Sequence, residues 1–468
     1  MTDLVLTNAC IRTMDAARPG AEALLIREGR IAALGPAAAI AASAAEDARV
    51  IDAGGRLVLP GFQDARLRLL SGGADLVTAA TLTGSESLPD LRARLAVHAA
   101  RNPDLPVILG AGWHLGTFTD TNLTAISIDA ATGGRPAVIR DAGGQRACLN
   151  SAAMTMAGIT REIADPPGGR IVRTPSGQPT GMLHGGAIAW AMARLPPLTD
   201  AQYQRGLLAA QALAHAHGLT GVTDPRMTGR EARIYAQAME AGELTLRVAG
   251  VAPVAADIPP EEALPPLLAL RAALPEPDLH LFAAGLVLPD DPDPVQLARL
   301  VTALDAARFQ LRIEAATEAA RALVQQALRA ARGTNGAWPA LHQITPPPAA
   351  SVPGLMARLP PAAPRPEDGL PFCLSSDWPA HPLNPFAVIA ATDPALTVED
   401  CVLAYTAQAA AAAWRGDLAG RLLPGLAADL VLLDRDIFAL SRVEIAATQV
   451  LLTLSKGEEV FRAPGFTG

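Results

Sequence analysis

Residues 57–69 read Leu57-Val-Leu-Pro-Gly-Phe-Gln-Asp-Ala-Arg-Leu-Arg-Leu69, and this stretch decides how the fold is interpreted. If it is a strand, Arg66 and Arg68 point to the same face, because alternate residues of a strand do so. Two histidines at this spacing could hold one metal ion. A guanidinium cannot, since it stays protonated and has no lone pair to donate. The stretch therefore predicts a strand end that carries fixed positive charge instead of a metal.

The composition is that of a large globular protein. The chain has 468 residues and is 50% hydrophobic, which predicts one large domain and a small one. Its net charge of −8 is spread thinly, so we expect no nucleic-acid surface. No secretory signal is apparent, and the alanine-rich stretches are too short to span a bilayer. We expect a cytoplasmic protein without a membrane segment.

The order of elements along the chain predicts the architecture. Residues 1–58 and 415–468 contain short strands, and we predict that both ends build one β-sandwich domain. Residues 59–414 alternate between helical and strand patterns, as in helix Asp200–His217 followed by strand Gly221–Thr223. Such alternation favours an α/β fold, a distorted (β/α)8 TIM-like barrel with insertions. The proline-rich segment Thr345–Pro371 is predicted to be a surface loop.

Seven local motifs occur along the chain in an order typical of one family. They are Asp3-Leu-Val-Leu-Thr-Asn-Ala9, Val50-Ile-Asp-Ala-Gly-Gly-Arg-Leu-Val-Leu-Pro-Gly-Phe62, Asn150-Ser-Ala-Ala153, Pro167-Gly-Gly-Arg-Ile-Val-Arg173, Gly177-Gln-Pro-Thr-Gly181, Ser376-Asp-Trp-Pro379 and Pro424-Gly-Leu-Ala-Ala-Asp-Leu430. With them the chain resembles the amidohydrolase family 3 proteins, often called YtcJ-like. The resemblance implies a barrel that uses Zn²⁺ or another divalent metal to hydrolyse amide-like C–N bonds. It also suggests a homodimer.

The metal-ligand positions implied by the resemblance are replaced here. Arg66 and Arg68 stand in place of His-x-His, and Gln145 stands in place of the histidine of an Asp-Gly-His motif. Glu314 occupies another histidine position, and the Ile-Glu-His motif is reduced to Ile-Thr-Pro at 344–346. Asp377 remains, and the resemblance implies that it assists metal binding and proton transfer. We therefore predict that this chain holds no metal cofactor.

Other residues are candidates for contact with a ligand. Trp113 and His114 lie in a glycine-rich segment that lines the substrate pocket in the relatives implied by the resemblance. His184 follows the position of a lost carboxylate, and His280 replaces a pocket lysine. Trp378 directly follows Asp377. For each histidine the alternative is a packed structural side chain.

The remaining charges allow several arrangements. We expect Arg66 and Arg68 to pair with Glu314 and Asp377, because burying an unpaired guanidinium is costly. The pairs could form a structural plug, or the arginines could bind a small anionic ligand, a carboxylate or a phosphate. The main prediction is a non-hydrolytic homologue that acts as a binding protein or as the inert subunit beside an active paralogue. The alternative is a divergent hydrolase of amide-like C–N bonds in which Asp377 and Glu314 act as general acid and base.

Overall fold

A computed structural model describes residues 3–336, 338–346, 356–361, 363 and 370–468. In these residues the strands are β1 (Leu4–Thr7), β2 (Cys10–Arg12), β3 (Gly20–Ala21), β4 (Ala23–Arg27), β5 (Arg30–Gly35), β6 (Arg49–Asp52), β7 (Leu57–Pro60), β8 (Phe62–Asp64), β9 (Ala79–Thr81), β10 (Ile108–Trp113), β11 (Ala137–Asp141), β12 (Arg146–Leu149), β13 (Gly169–Arg173), β14 (Pro179–Gly185), β15 (Leu219–Asp224), β16 (Arg247–Ala255), β17 (Leu279–Val287), β18 (Gln310–Glu314), β19 (Gln343–Thr345), β20 (Ala357–Leu359), β21 (Phe372–Leu374), β22 (Leu430–Leu433), β23 (Val450–Ser455) and β24 (Glu458–Arg462).

The α-helices of the same residues are α1 (Ala37–Ser43), α2 (Leu69–Thr78), α3 (Leu88–Arg101), α4 (Ala125–Asp129), α5 (Ser151–Ala157), α6 (Gly186–Met192), α7 (Asp200–Ala216), α8 (Gly229–Glu240), α9 (Pro260–Ala272), α10 (Pro294–Ala306), α11 (Glu318–Asn335), α12 (Pro385–Ala391), α13 (Val398–Tyr405), α14 (Ala407–Ala412) and α15 (Arg442–Ile445). None of the helices in the described ranges is both long and apolar enough to cross a membrane.

The chain forms two compact units. The first unit contains Met1–Leu69, Gln211–Trp378 and Pro382–Gly468, and the second contains Leu70–Ala210 with Pro379–His381. Each unit has its own sheets and its own apolar core.

A curled parallel sheet forms a half-barrel in the first unit. Its strands lie in the order β19-β18-β17-β16-β15-β8, and every neighbouring pair is parallel. Two of the helices between these strands begin at a side-chain cap: Thr228 caps α8, and Thr317 caps α11. The predicted α/β alternation is confirmed here. Because the strands are parallel, their carboxyl ends meet at one edge, where barrel enzymes carry their sites.

The two chain ends also belong to the first unit. Strands β5-β4-β1-β6 form one sheet, and β24-β23-β22-β7-β2-β3 form a second sheet that joins the N-terminal and C-terminal segments. Apolar side chains of both sheets share one core, which includes Leu6, Leu24, Leu432 and Leu452. A β-sandwich built from both chain ends requires such a shared core. The boundaries 1–58 and 415–468 stay a prediction, because the same compact unit also includes the half-barrel.

The second unit is built on a mixed sheet with strand order β13-β14-β12-β11-β10-β9. Strands β9, β10 and β11 are parallel, whereas β12, β13 and β14 pair in antiparallel fashion. Helices α3, α4 and α5 contact this sheet and contribute to its apolar core.

The predicted surface loop at residues 345–371 is partly wrong. Ala357–Leu359 forms the buried strand β20, which pairs in parallel with β21. Residues 347–355, 362 and 364–369 of this segment lie outside the described ranges. The short strand places Arg358 beside the half-barrel, which becomes important for the site.

Candidate functional site

Asp64 organises the carboxyl end of β8. Its carboxylate accepts hydrogen bonds from the backbone N–H of Arg66 at 3.0 Å and of Ser376 at 3.0 and 3.2 Å. The two segments are also joined by a backbone hydrogen bond, which the N–H of Asp377 donates to the carbonyl of Arg66 at 3.1 Å. The segment after β8 therefore lies beside the segment after β21, and Arg66 and Asp377 are held next to each other.

Three ion pairs connect the charged side chains at this edge. The Arg66 guanidinium lies 3.0 Å from Glu314 and 3.8 Å from Asp377. Arg358 donates to both carboxylate oxygens of Asp377 at 2.9 Å and to the hydroxyl of Ser375 at 3.1 Å. The predicted pairing of Arg66 with Glu314 and Asp377 is thus present. Asp377 adopts a left-handed backbone with φ of 54°, a conformation that aspartate tolerates better than most residues.

Arg312 is the third guanidinium of the site. Its Nη2 donates to the carbonyl of Ala412 at 3.0 Å, and its Cζ lies 5.3 Å from the ring centroid of Phe282. The Nε and Nη1 atoms are buried and have no hydrogen-bond partner within the described residues. Burial, with a smaller effect from the charge of Arg358, lowers the pKa of Arg312 to about 10, so the group stays cationic at neutral pH.

These side chains line a cavity of about 160 Å³. Its polar lining consists of Arg66, Thr223, Arg312, Glu314, Gln343, Thr345 and Arg358. The apolar lining includes Pro225, Val251, Pro253, Leu286 and Ile313. The cavity therefore combines a cationic end with an apolar wall.

Burial changes the charge of Asp64. Desolvation raises the pKa of this carboxyl to about 7, although the hydrogen bonds from Ser376 and Arg66 act in the opposite direction. The nearby charge of Asp377 raises it slightly further. Asp64 is therefore largely protonated in mildly acidic solution, unlike an exposed aspartate.

The predicted pairing of Arg68 with Glu314 and Asp377 does not occur in the described residues. Strand β8 ends at Asp64, so the alternation that would place Arg66 and Arg68 on one face does not reach them. Arg68 is exposed, and it makes no ion pair with any part of the chain that the structure describes. Its backbone N–H donates to the carbonyl of Trp378 at 3.0 Å, which fixes the backbone but leaves the side chain outside the site.

His280 and Trp378 are packed side chains. The His280 ring donates from Nε2 to the carbonyl of Ala413 at 2.9 Å, and its Nδ1 accepts from Arg415 at 3.1 Å. Burial and the charge of Arg415 lower the pKa of His280 to about 3, so the ring is neutral. Trp378 is only 6% exposed. Neither residue lines the cavity formed by Arg66, Arg312 and Arg358, and the binding roles of His280 and Trp378 stay predictions.

Four predicted ligand-binding residues belong to the second unit. Trp113 is fully buried, and its indole N–H donates to the carbonyl of Ile139 at 3.3 Å, which is the position of a core side chain rather than a pocket-lining one. His114 and Gln145 are exposed. The Nε2 of His184 lies 2.9 Å from Asp120, which makes it part of a local charge cluster. Roles of His114, Gln145 and His184 in binding stay predictions.

Sequence reasoning missed Arg312 and Arg358. A usable signal existed for Arg312, because Gln310, Arg312 and Glu314 occupy alternate positions of β18 and therefore share a face. Arg358 gave no such signal, since its strand has three residues and follows a proline-rich stretch.

The donor set at this edge is poor in metal ligands. Across the described ranges, no three His, Cys, Asp or Glu side chains are grouped so that they could hold a metal ion. Asp377 and Glu314 already face guanidinium groups, and Asp64 accepts two backbone N–H groups. No histidine lines the cavity.

Comparison with known proteins finds a family match over most of the chain. The sequence model of the amidohydrolase family matches residues 49–345 and 352–461. The chain is 31% identical over 251 residues to an N-substituted formamide deformylase of Arthrobacter pascens, a match that covers 52% of this chain and 46% of that protein. It is 31% identical over 177 residues to the putative amidohydrolase YtcJ of Bacillus subtilis, covering 36% and 32%. The matches thus span less than half the length of these relatives.

Solved structures show the fold. An uncharacterised metal-dependent hydrolase from Pyrococcus horikoshii aligns with a TM-score of 0.72 and 18% identity, covering 94% of this chain and 99% of that one. A second one, from Pyrococcus furiosus, aligns with a TM-score of 0.69 and 18% identity, covering 93% and 100%. This likeness confirms the predicted α/β fold with a TIM-like barrel.

Proposed function

The chain belongs to the amidohydrolase family. We propose that it is a non-hydrolytic member of this family and that it binds a small anionic molecule. The observation that carries this proposal is the meeting of Arg66, Arg312 and Arg358 at the carboxyl ends of the half-barrel strands. Guanidinium groups supply positive charge there without metal, and they bind carboxylates or phosphates through paired N–H donors. The protein would act alone or as the inert partner of an active paralogue.

The residues of the site do not fit a divalent metal. A binuclear centre needs several histidines and carboxylates with free lone pairs. Here the cavity is lined by three guanidiniums and one carboxylate, Glu314. A metal ion would face the positive charges of Arg66 and Arg358 at short range. We derive no catalytic step through a metal for this chain.

A divergent hydrolase that uses Asp377 and Glu314 is the alternative, and its support is weaker. The relatives include a protein named as a formamide deformylase. However, Asp377 is held by Arg358 at 2.9 Å on both oxygens, and Glu314 is held by Arg66 at 3.0 Å. A general base needs a lone pair that can reach the proton it removes. Both oxygens of Asp377 are engaged by N–H donors, and Oε1 of Glu314 lies against the Arg66 cation.

Metal content tests the proposal directly. We expect plasma mass spectrometry of untagged protein, purified without chelators, to find below about 0.1 equivalent of Zn, Mn, Fe, Co or Ni. One equivalent or more that Asp377→Ala removes, and that the exposed control Asp417→Ala retains, would contradict it. Turnover of an N-substituted formamide by the wild type, lost in Asp377→Asn, would also refute the non-hydrolytic role.

A further inference from the structure

The cavity lined by Arg66, Arg312 and Arg358 has an apolar wall, and Arg312 has N–H donors without a hydrogen-bond partner in the described residues. From this combination we infer that its ligand is a monocarboxylate with a short apolar tail, whose carboxylate accepts hydrogen bonds from Arg312. The inference rests on the proposed function and specifies the ligand class of that site.

Arg312 carries the argument, because it has donors that nothing in the described residues satisfies. Its Nε and Nη1 are buried without a hydrogen-bond partner, and only Nη2 is used, by the carbonyl of Ala412. Buried donors of native proteins are nearly always paired, so unpaired N–H groups on a side chain that lines a cavity indicate a missing acceptor. A planar carboxylate accepts two parallel hydrogen bonds from a guanidinium, either from Nε and Nη2 or from Nη1 and Nη2. Nη2 of Arg312 has a second N–H besides the one that Ala412 accepts, so each unpaired atom can form such a fork with it.

The charges around the cavity favour a single negative charge on the ligand. The three guanidiniums of Arg66, Arg312 and Arg358 face two carboxylates, those of Glu314 and Asp377. With Asp64 protonated, as its pKa of about 7 implies in mildly acidic solution, one positive charge remains. One carboxylate neutralises it, whereas a doubly charged oxyanion would leave the site with an excess of negative charge.

The apolar wall and the volume limit the rest of the ligand. Val251, Leu286 and Ile313 line the cavity together with two prolines, at 225 and 253. These side chains offer no hydrogen-bonding groups, so they suit a hydrocarbon tail. A cavity of about 160 Å³ accepts a molecule of roughly five to ten non-hydrogen atoms.

Isothermal titration calorimetry of the wild-type protein at pH 6 tests this ligand class with four probes. They are 3-methylbutanoate, its neutral isostere 3-methylbutanamide, acetate and inorganic sulfate. We expect 3-methylbutanoate to bind. The amide should bind at least about tenfold more weakly, because a neutral amide cannot accept charge-assisted hydrogen bonds. Acetate and sulfate should each bind at least about tenfold more weakly, because they lack the tail.

Two variants and a control locate the binding group. Arg312→Met should weaken 3-methylbutanoate at least about tenfold, and Arg312→Lys should recover part of that loss, since it restores the charge without the fork. Arg299→Met removes an exposed arginine of α10 that does not line the cavity, and it should change the affinity less than about twofold. Thermal melts of each variant show whether it is folded. The comparison of carboxylate with amide needs only the wild type.

The outcomes separate this inference from the proposal on which it rests. Equal binding of the amide, equal binding of sulfate, or an affinity that folded Arg312→Met leaves unchanged would each overturn the ligand class. If the protein contains no metal and binds none of the four probes, the ligand class is also overturned, but the proposed absence of metal-dependent chemistry is not. A stoichiometric metal in the same preparation would refute the proposed function itself.

Discussion

Asp64 is a carboxyl whose protonation should contribute visibly to stability. Its pKa is about 7 in the folded protein, because it is buried, and about 3.9 in the unfolded chain. Between pH 4 and 7 the folded state therefore holds a proton that the unfolded state has released. The free energy of unfolding contributed by Asp64 falls as the pH rises through this window and is constant above it. The change is on the order of 1–4 kcal/mol.

Asp64→Asn isolates this contribution, since asparagine resembles the protonated form and does not titrate. We expect urea unfolding at a series of pH values to show that the wild type loses stability relative to Asp64→Asn between about pH 4 and 7. The exposed residue Asp417, changed to Asn, serves as the control and should not produce such a trend. A constant difference between wild type and Asp64→Asn over this range would show that Asp64 titrates normally.

The charged residues of the site were only partly predictable, for a reason that lies in strand geometry. Arg66 and Glu314 were found because each occupies a recognisable motif position. Arg68 was misplaced because alternation was extended beyond the end of β8 at Asp64. Arg358 could not be found, since a three-residue strand has too short a pattern to be distinguished from a loop.

At the scale of elements, a buried ion pair joins the half-barrel to the C-terminal strands. Arg247 at the start of β16 is 2% exposed and lies 3.0 Å from Asp429, which precedes β22, and 3.2 Å from Asp278, which precedes β17. Arg247→Met would leave Asp429 buried without its cation. We expect the free energy of unfolding to fall by about 3–5 kcal/mol, as for other broken buried pairs.

Chemical unfolding monitored by circular dichroism measures this loss, and a surface pair provides the comparison. Arg49 and Glu459 form an ion pair at 2.7 Å, but Arg49 is 55% exposed. Arg49→Met should therefore cost less than about 1 kcal/mol. If both variants lose the same stability, the Arg247 cluster does not connect the elements in the way that its burial suggests.

The regular βα units were predictable because their patterns are long. Helix α7 and strand β15 occur within a few residues of the predicted positions. Short strands were not predictable. Strand β20 is the example that matters for the site, because it carries Arg358. Periodicity needs several residues to be recognised, whereas a pairing of three residues depends on contacts distant in sequence.

At the scale of the molecule, the C-terminal strands should be indispensable for folding. Strand β22 pairs with β7 from the N-terminal segment, and Leu430, Leu432, Leu452 and Leu454 are fully buried in the shared core. Each buried leucine contributes about 2–5 kcal/mol, so their sum reaches the total stability of an ordinary domain.

A chain that lacks residues 430–468 should therefore show no cooperative thermal transition by circular dichroism. Deletion of residues 467–468 alone provides the control and should leave a cooperative transition. A sharp melt of the shorter chain, similar to that of the wild type, would mean that the half-barrel folds without the strands from the C-terminal end.

The unpaired donors of Arg312 have a consequence for the lifetime of the whole protein. A buried donor without an acceptor costs about 1–3 kcal/mol, and this cost weakens the folded state as a whole. A molecule that supplies the acceptor removes the cost, so the melting temperature should rise with its concentration. Resistance to proteolysis would then follow the supply of the ligand. The amount of protein in the cell would then rise with the concentration of its ligand, without any change of conformation. Rates of proteolysis measured at a series of ligand concentrations would test this.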